Sequence, residues 1–213
     1  MKRGVIILVF LVLVSYADAT SISGKVFEDF NGDYSIENEK TLTNKEIILF
    51  NFEDFNEIST FTDENGNYNF NVNLGRYMVM QKLIPGEIFT YPNFGFYYIT
   101  INENEIVNNN NFGNFKLGNI SGYVKNKNNE PLVNIKVILS NNFSFLTNKE
   151  GYYEFKDLDA GTYNILVEEQ VVNDIIINSG SAYEYNFVLD KENIIVEEKK
   201  SLLDKFYEDF FSY

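Results

Sequence analysis

Thr147-Asn148-Lys149-Glu150-Gly151-Tyr152-Tyr153-Glu154-Phe155, followed by Leu158-Asp159-Ala160-Gly161-Thr162-Tyr163-Asn164-Ile165, is the stretch that decides how this chain folds. A polar run ends in Gly151, which supplies the positive φ of a tight hairpin. Tyr153 and Phe155 stand two apart, so they share one face of the strand that follows. Gly161 then turns the chain into a further strand. The same plan occurs earlier, as Thr62-Asp63-Glu64-Asn65-Gly66-Asn67-Tyr68-Asn69-Phe70 and then Leu74-Gly75-Arg76-Tyr77-Met78-Val79. The chain is built twice on one pattern.

Working outward, Ile22-Ser23-Gly24-Lys25-Val26 recurs as Ile120-Ser121-Gly122-Tyr123-Val124, each opening a module as an alternating strand. Apolar strands follow at Ile47–Phe50 and Ile135–Leu139. Each module closes on two more strand-like stretches, at 96–101 and 110–116 in the first and at 174–177 and 183–189 in the second. About six or seven short strands per module, separated by turn signals, predict an all-β chain of two tandem Greek-key sandwiches. The expected boundaries are 20–116 and 117–190, with almost no linker between them.

Composition narrows the function. The 213 residues contain 20 Phe and 15 Tyr but no Trp, His or Cys. Without His and Cys there is no Ser-His-Asp triad, no thiolate nucleophile, no disulfide and none of the usual zinc or haem ligands. An enzyme is not expected. The formal charge is −14, which opposes binding to phosphate backbones and to anionic lipid. Nucleic acid is therefore not an expected partner.

The ends differ from the modules. Lys2 and Arg3 precede the apolar run Val5–Val14, and Ala17-Asp18-Ala19 gives a cleavage pattern, so 1–19 reads as a secretory signal. The alternative is a retained anchor, but the apolar run is short for a bilayer span. Either way the remainder lies outside the cytoplasm, secreted or at the cell surface, and no integral span is expected after cleavage. In 191–213, Ile195, Leu202, Leu203, Phe206, Phe210 and Phe211 recur at helical spacing between charged residues. This amphipathic helix either folds back on a sandwich or docks to a partner.

The second module resembles the carboxypeptidase regulatory-like domains, of transthyretin-like (prealbumin) topology. The resemblance rests on Ile120, Gly122, Val124, Pro131, Leu132, Val137, Leu139, Thr147, Gly151, Tyr153, Phe155, Leu158, Gly161 and Tyr163. The first module is similar to the B-type calcium-binding repeats of bacterial surface adhesins, through Gly24–Asp33 and Thr62–Tyr68. The resemblance implies accessory, adhesive or stalk modules, not catalysts. It also implies a calcium loop at Asp29, Asn31, Asp33, Ser35, Glu37 and Glu39. Oxygen ligands at alternate positions suit a hard cation. Two departures stand against the pattern: Tyr34 occupies the place of the turn glycine, and Lys40 that of the last acid. The plain alternative is a solvated acidic loop.

Related surface domains also join a first-strand Lys to a last-strand Asn. The nearest sets here are Lys125, Asn186 and Glu168 in the second module and Lys25 and Asn114 in the first, in a chain where Lys and Asn are common. Asn119 and Asn142 begin glycosylation acceptor patterns, with Asn142 placed in a loop. The aromatic cluster at 89–98 has no equivalent in the second module. Tyr91, Phe94 and Tyr97 are its candidate platform for a sugar or peptide; the alternative is that its rings cap the sandwich. The run Asn108–Asn111 reads as a turn, not as a site. The expected function is an exported structural or adhesive module at the cell surface, possible partners being surface or extracellular proteins or glycans. The alternative is a carbohydrate- or peptide-binding module acting through the aromatic insertion.

Overall fold

The computed structural model describes residues 20–191 apart from Asn104 and Asn141. The expected signal at 1–19 and the expected tail helix lie outside the described residues. Among the described residues every regular element is a strand. The chain divides into two compact units, the first ending at Leu117 and the second beginning at Gly118.

The first unit contains β1 (Ser21–Glu28), β2 (Lys40–Thr41), β3 (Glu46–Asn51), β4 (Glu57–Phe61), β5 (Asn67–Asn71), β6 (Gly75–Gln81), β7 (Glu87–Tyr91), β8 (Phe96–Ile101), β9 (Ile106–Val107) and β10 (Phe112–Lys116). One sheet has the order β4-β3-β6-β8. The other has the order β2-β1-β10-β7, with β5 and β9 also paired to β1. Alternation sends Ile22 and Val26 of β1, Tyr68 and Phe70 of β5 and Phe112 of β10 inward from one sheet. Ile47, Leu49, Tyr77, Val79, Ile99 and Ile101 meet them from the other, in one buried cluster. The unit is a two-layer β-sandwich.

The second unit contains β11 (Gly118–Asn126), β12 (Lys136–Leu139), β13 (Ser144–Leu146), β14 (Tyr152–Leu158), β15 (Gly161–Val167), β16 (Gln170–Ile177), β17 (Ala182–Glu184) and β18 (Phe187–Leu189). Its sheets are β14-β11-β17, with β18 also on β11, and β13-β12-β15-β16. Ile120, Val124, Tyr153, Val137, Leu139, Ile165 and Phe187 are among its buried side chains. Strand for strand it repeats the first unit, except that β2 is reduced to a single bridge between Lys125 and Pro131 and β7 has no counterpart. In the second unit β15 turns directly into β16, with Val167 opposite Gln170. In the first unit the chain leaves β6, lays β7 antiparallel along β10 and only then enters β8. The aromatic insertion is therefore an added edge strand and a turn. Its footing is the ion pair of Lys45 with Glu87 at 2.7 Å, both side chains largely buried.

The opening strand of each unit changes partners halfway. Ser21–Lys25 pair with β5 and, at 21–22, with β9; Val26–Glu28 pair with β10 and, at 27–28, with β2. At the change, a carbonyl from the far end of the unit crosses the strand. A Cβ on Gly24 would lie 2.1 Å from the Asn110 carbonyl oxygen, and one on Gly122 would lie 1.8 Å from that of Tyr185. No side chain fits there. The Tyr opposite each glycine caps that same carbonyl: the Tyr68 hydroxyl donates to Asn110 O at 2.5 Å, the Tyr153 hydroxyl to Tyr185 O at 2.7 Å. Burial pushes both phenols well above the usual tyrosine range, so they stay donors. An Asn side chain then replaces the missing strand partner. The Lys25 N–H donates to Asn111 Oδ1 at 2.9 Å, and the Tyr123 N–H to Asn186 Oδ1 at 2.8 Å.

The polar turns are equally alike. Thr62 and Thr147 are buried. Each hydroxyl donates to the carbonyl of Leu42 or Leu132 and accepts from the N–H of Lys45 or Ile135. Asp63 Oδ1 accepts from the N–H groups of Asn65 and Asn67, as Asn148 Oδ1 does from Glu150 and Tyr152. The residues read as turn formers thus also carry long-range bonds.

Two predictions follow from these contacts. In the full chain, Gly122→Ala costs the second unit about 3 kcal/mol, because the Cβ meets backbone and not a yielding side chain. Tyr153→Phe costs about 1–3 kcal/mol, because it leaves the part-buried Tyr185 carbonyl without its hydroxyl donor. Urea unfolding followed by circular dichroism reads both, and a variant as stable as the parent removes the crossing from the account. The second prediction concerns acid. The Asn67 side chain, helped by its backbone N–H, holds the Asp63 carboxyl below its usual range. A depressed folded-state pKa stabilises above the unfolded value and is lost as pH falls through the folded value. Asp63→Asn therefore flattens the loss of stability below about pH 4, measured as urea midpoints of parent and variant at neutral and acid pH.

Candidate functional site

The segment 29–39 leaves β1 and returns through β2. In the second unit the same connection is a short turn, with the Asn126 N–H donating to Glu130 O. The long version is organised by Asp29. Its side chain is fully buried, yet both its oxygens are used: Oδ1 accepts the Asp33 N–H and Oδ2 the Tyr34 N–H, each at 3.0 Å. Next in the loop, Asn31 Oδ1 accepts from the Asp33 N–H, Asp33 Oδ1 from the Ser35 N–H, and Ser35 Oγ from the Glu37 N–H. Each side chain bends the backbone two residues on, so the acids are wound inward and not spread along an extended strand. Tyr34, at the position where a glycine was expected, has φ 65°.

This winding brings Asp29, Asp33 and Glu39 together, with one carboxylate oxygen of each within 4.8 Å of the others. A calcium ion takes ligands at about 2.4 Å, so oxygens on opposite sides of it stand about 4.8 Å apart. The donor set is all oxygen and carries three carboxylates, which suits a hard divalent cation. Asn31 and Ser35 border the group through their bonds to Asp33. Glu37 is exposed and outside the three-carboxylate group.

The aromatic insertion is divided by strand alternation. Tyr97 of β8 points inward: its ring lies 5.4 Å from that of Phe112, edge-on, and its hydroxyl donates to Asn111 O. Burial, reinforced by the neighbouring Tyr91 phenol, pushes its pKa up. Phe89 packs against the same core. Phe94 is 84% exposed, with its ring 6.4 Å from that of Phe96, and Tyr91 is partly exposed beside Asn93 and Tyr34. Tyr91, Phe94 and Tyr97 are thus not arranged as one flat platform.

The remaining candidates fall at separate places. Asn142 sits exposed in the turn between β12 and β13, with φ 69°. Asn119 lies within β11, paired with Ala182. Lys125, Asn186 and Glu168 are engaged apart from one another. Lys125 donates to Asn129 and lies 5.8 Å from the Tyr123 ring; Asn186 bonds Tyr123 and Glu184; Glu168 pairs with Lys191. Lys25 is exposed whereas Asn114 is buried. Sequence reasoning missed Asn110, which is buried and donates through its side chain to Ser23 O and Val107 O. No local pattern could have shown it, because the partner at Ser23 lies 87 residues away.

A comparison with curated proteins gives no match. Among solved structures, the Bacillus anthracis TIE protein is similar at 20% identity and a TM-score of 0.43, over 81% of this chain and 34% of that one. A streptococcal ancillary pilin is similar at 14% identity and 0.39, over 81% and 63%. The shaft pilin SpaA from Lactobacillus rhamnosus GG is similar at 10% identity and 0.36, over 82% and 99%. The chain thus spans about a third of the length of the first and under two thirds of the second. Residues 119–190, nearly all of the described second unit, match the family model of the carboxypeptidase regulatory-like domain, as the residues from Ile120 to Tyr163 had implied.

Proposed function

We propose that this chain is an exported, non-enzymatic structural or adhesive module of the cell surface, whose first unit is stiffened by calcium. The observation that carries the reading is the convergence of Asp29, Asp33 and Glu39 in a loop already wound by hydrogen bonds. The export pattern at 1–19 and the lack of His and Cys support the setting and the absence of chemistry. The carboxypeptidase regulatory-like match supports an accessory role for the second unit. In this reading the ion does no chemistry. It neutralises three converging carboxylates and fixes the loop that joins β1 to β2, so the first unit resists deformation. Partners are surface or extracellular proteins. The tail beyond Asp190 is offered to one of them.

The second reading is a carbohydrate- or peptide-binding module using the insertion. It draws on the exposure of Phe94 and Tyr91.

Calcium at about 100 times its Kd adds about 2.7 kcal/mol to the stability of the first unit. Asp33→Asn and Glu39→Gln reduce that gain, and chelator abolishes it. Calorimetry of the full chain with calcium, with magnesium and with chelator is the check; identical melting in all three ends the calcium reading. The surface role is tested separately, by capture from cell-surface extract on the chain from Thr20 to Tyr213 and on a chain ending at Asp190. A specific protein held only by the longer bait assigns docking to the tail.

A further inference from the structure

The outer face of the first unit's β5-β1 pair is hollow where the second unit's is filled. Lys25 of β1 stands opposite Asn67 of β5; the equivalent pair in the second unit is Tyr123 opposite Tyr152. Those two tyrosines lie ring against ring at 5.2 Å and cover their strands. In the first unit a cavity of about 450 Å³ opens at that place, with Lys25, Asn67, Phe61, Asp63, Asn108 and Asn109 around it.

The lining has a specific chemistry. Asn110 and Asn111 of the Asn108–Asn111 run are spent on the fold. Asn108 and Asn109 are exposed, and their side chains make no hydrogen bond among the described residues. Each amide offers donors and an acceptor side by side. The single cation, Lys25, faces the single carboxylate, Asp63, so the cavity is charge-balanced within a strongly acidic chain. The Phe61 ring, 54% exposed, supplies an apolar wall. Balanced charge, free amides and one open ring together match a neutral polyhydroxyl ligand. Its hydroxyls both donate and accept, and its C–H face lies on an aromatic ring.

From these features we infer that the hollow at Lys25, Phe61, Asn67, Asn108 and Asn109 is a binding site for an uncharged saccharide. It is distinct from the acidic loop and from the aromatic insertion, and it does not rest on the calcium reading.

The test is saturation-transfer NMR on the full chain, with maltose, cellobiose, lactose and N,N′-diacetylchitobiose at about 10 mM, the range in which weak sugar sites register. Glucuronic acid is the charged control. Binding of at least one neutral disaccharide is expected, with glucuronic acid weaker. The double variant Lys25→Tyr with Asn67→Tyr installs the pair that the second unit already accommodates; it gives up the Asn67 side-chain bonds to Asp63 but keeps the backbone bond at that turn, as Tyr152 does with Asn148. It is expected to weaken binding about tenfold or more, with the β-sheet circular dichroism spectrum retained. Phe61→Ala, at an exposed position, acts in the same direction. Absence of transfer from every neutral sugar, or transfer that survives the double tyrosine variant, overturns the assignment. So does a preference for glucuronic acid.

Discussion

Each unit depends on one tight contact: a backbone carbonyl laid against a glycine and capped by a buried tyrosine hydroxyl. The contact allows the end of the unit to cross its first strand. Before the crossing, β9 or β17 lies along the first half of that strand; after it, β10 or β18 lies along the second half. Without the crossing the last strand would end in the wrong place to deliver Phe112 or Phe187 to the core. A side chain larger than hydrogen at the glycine forces the backbones apart. Losing the hydroxyl leaves that carbonyl without its donor. The polar requirement thus joins residues 42 and 32 apart along the chain, and the steric one joins Gly24 to Asn110 and Gly122 to Tyr185 over still longer separations, at which loop closure alone opposes ordering.

That economy explains what could be read in advance. Tyr68 and Tyr153 were legible as inward-facing residues because alternation over a few residues states the face of a strand. Their hydroxyls were not legible as caps, because the accepting carbonyls belong to segments with no pattern of their own. Thr62 and Thr147 looked like turn residues for the same reason. The acidic loop was readable because its bonds are local, each side chain reaching the backbone two to five residues on. The insertion at 89–98 was visible as extra sequence. That Tyr97 turns inward while Phe96 and Tyr98 stay out depends on how β8 is laid against β6, which no single segment specifies. The hollow beside Lys25 was the least legible of all. It exists because two tyrosines present in one unit are replaced in the other, and a vacancy leaves no motif.

The two units differ in what they add to the shared plan. The second keeps its connections short and its turn acceptor neutral, with Asn148 where the first has Asp63. The first adds the long acidic loop, the β7 edge strand and the Lys45–Glu87 pair that ties this strand down. Burying such a pair is not a gain in itself, but breaking it would strand a charge.

The pairing of first and last strands has a mechanical side. β1 runs parallel to β10, and β11 to β18. In each unit the chain enters at the start of one of these strands and leaves at the end of the other. Tension along the chain therefore slides the two strands past each other in opposite directions. The evenly spaced bonds of a parallel ladder are then loaded together in shear, where a hairpin pulled at its open end would give way one bond at a time. The tyrosine-capped crossing sits within the loaded region and opposes the same sliding. A module fastened at one end and pulled at the other would have its clasp where the load falls.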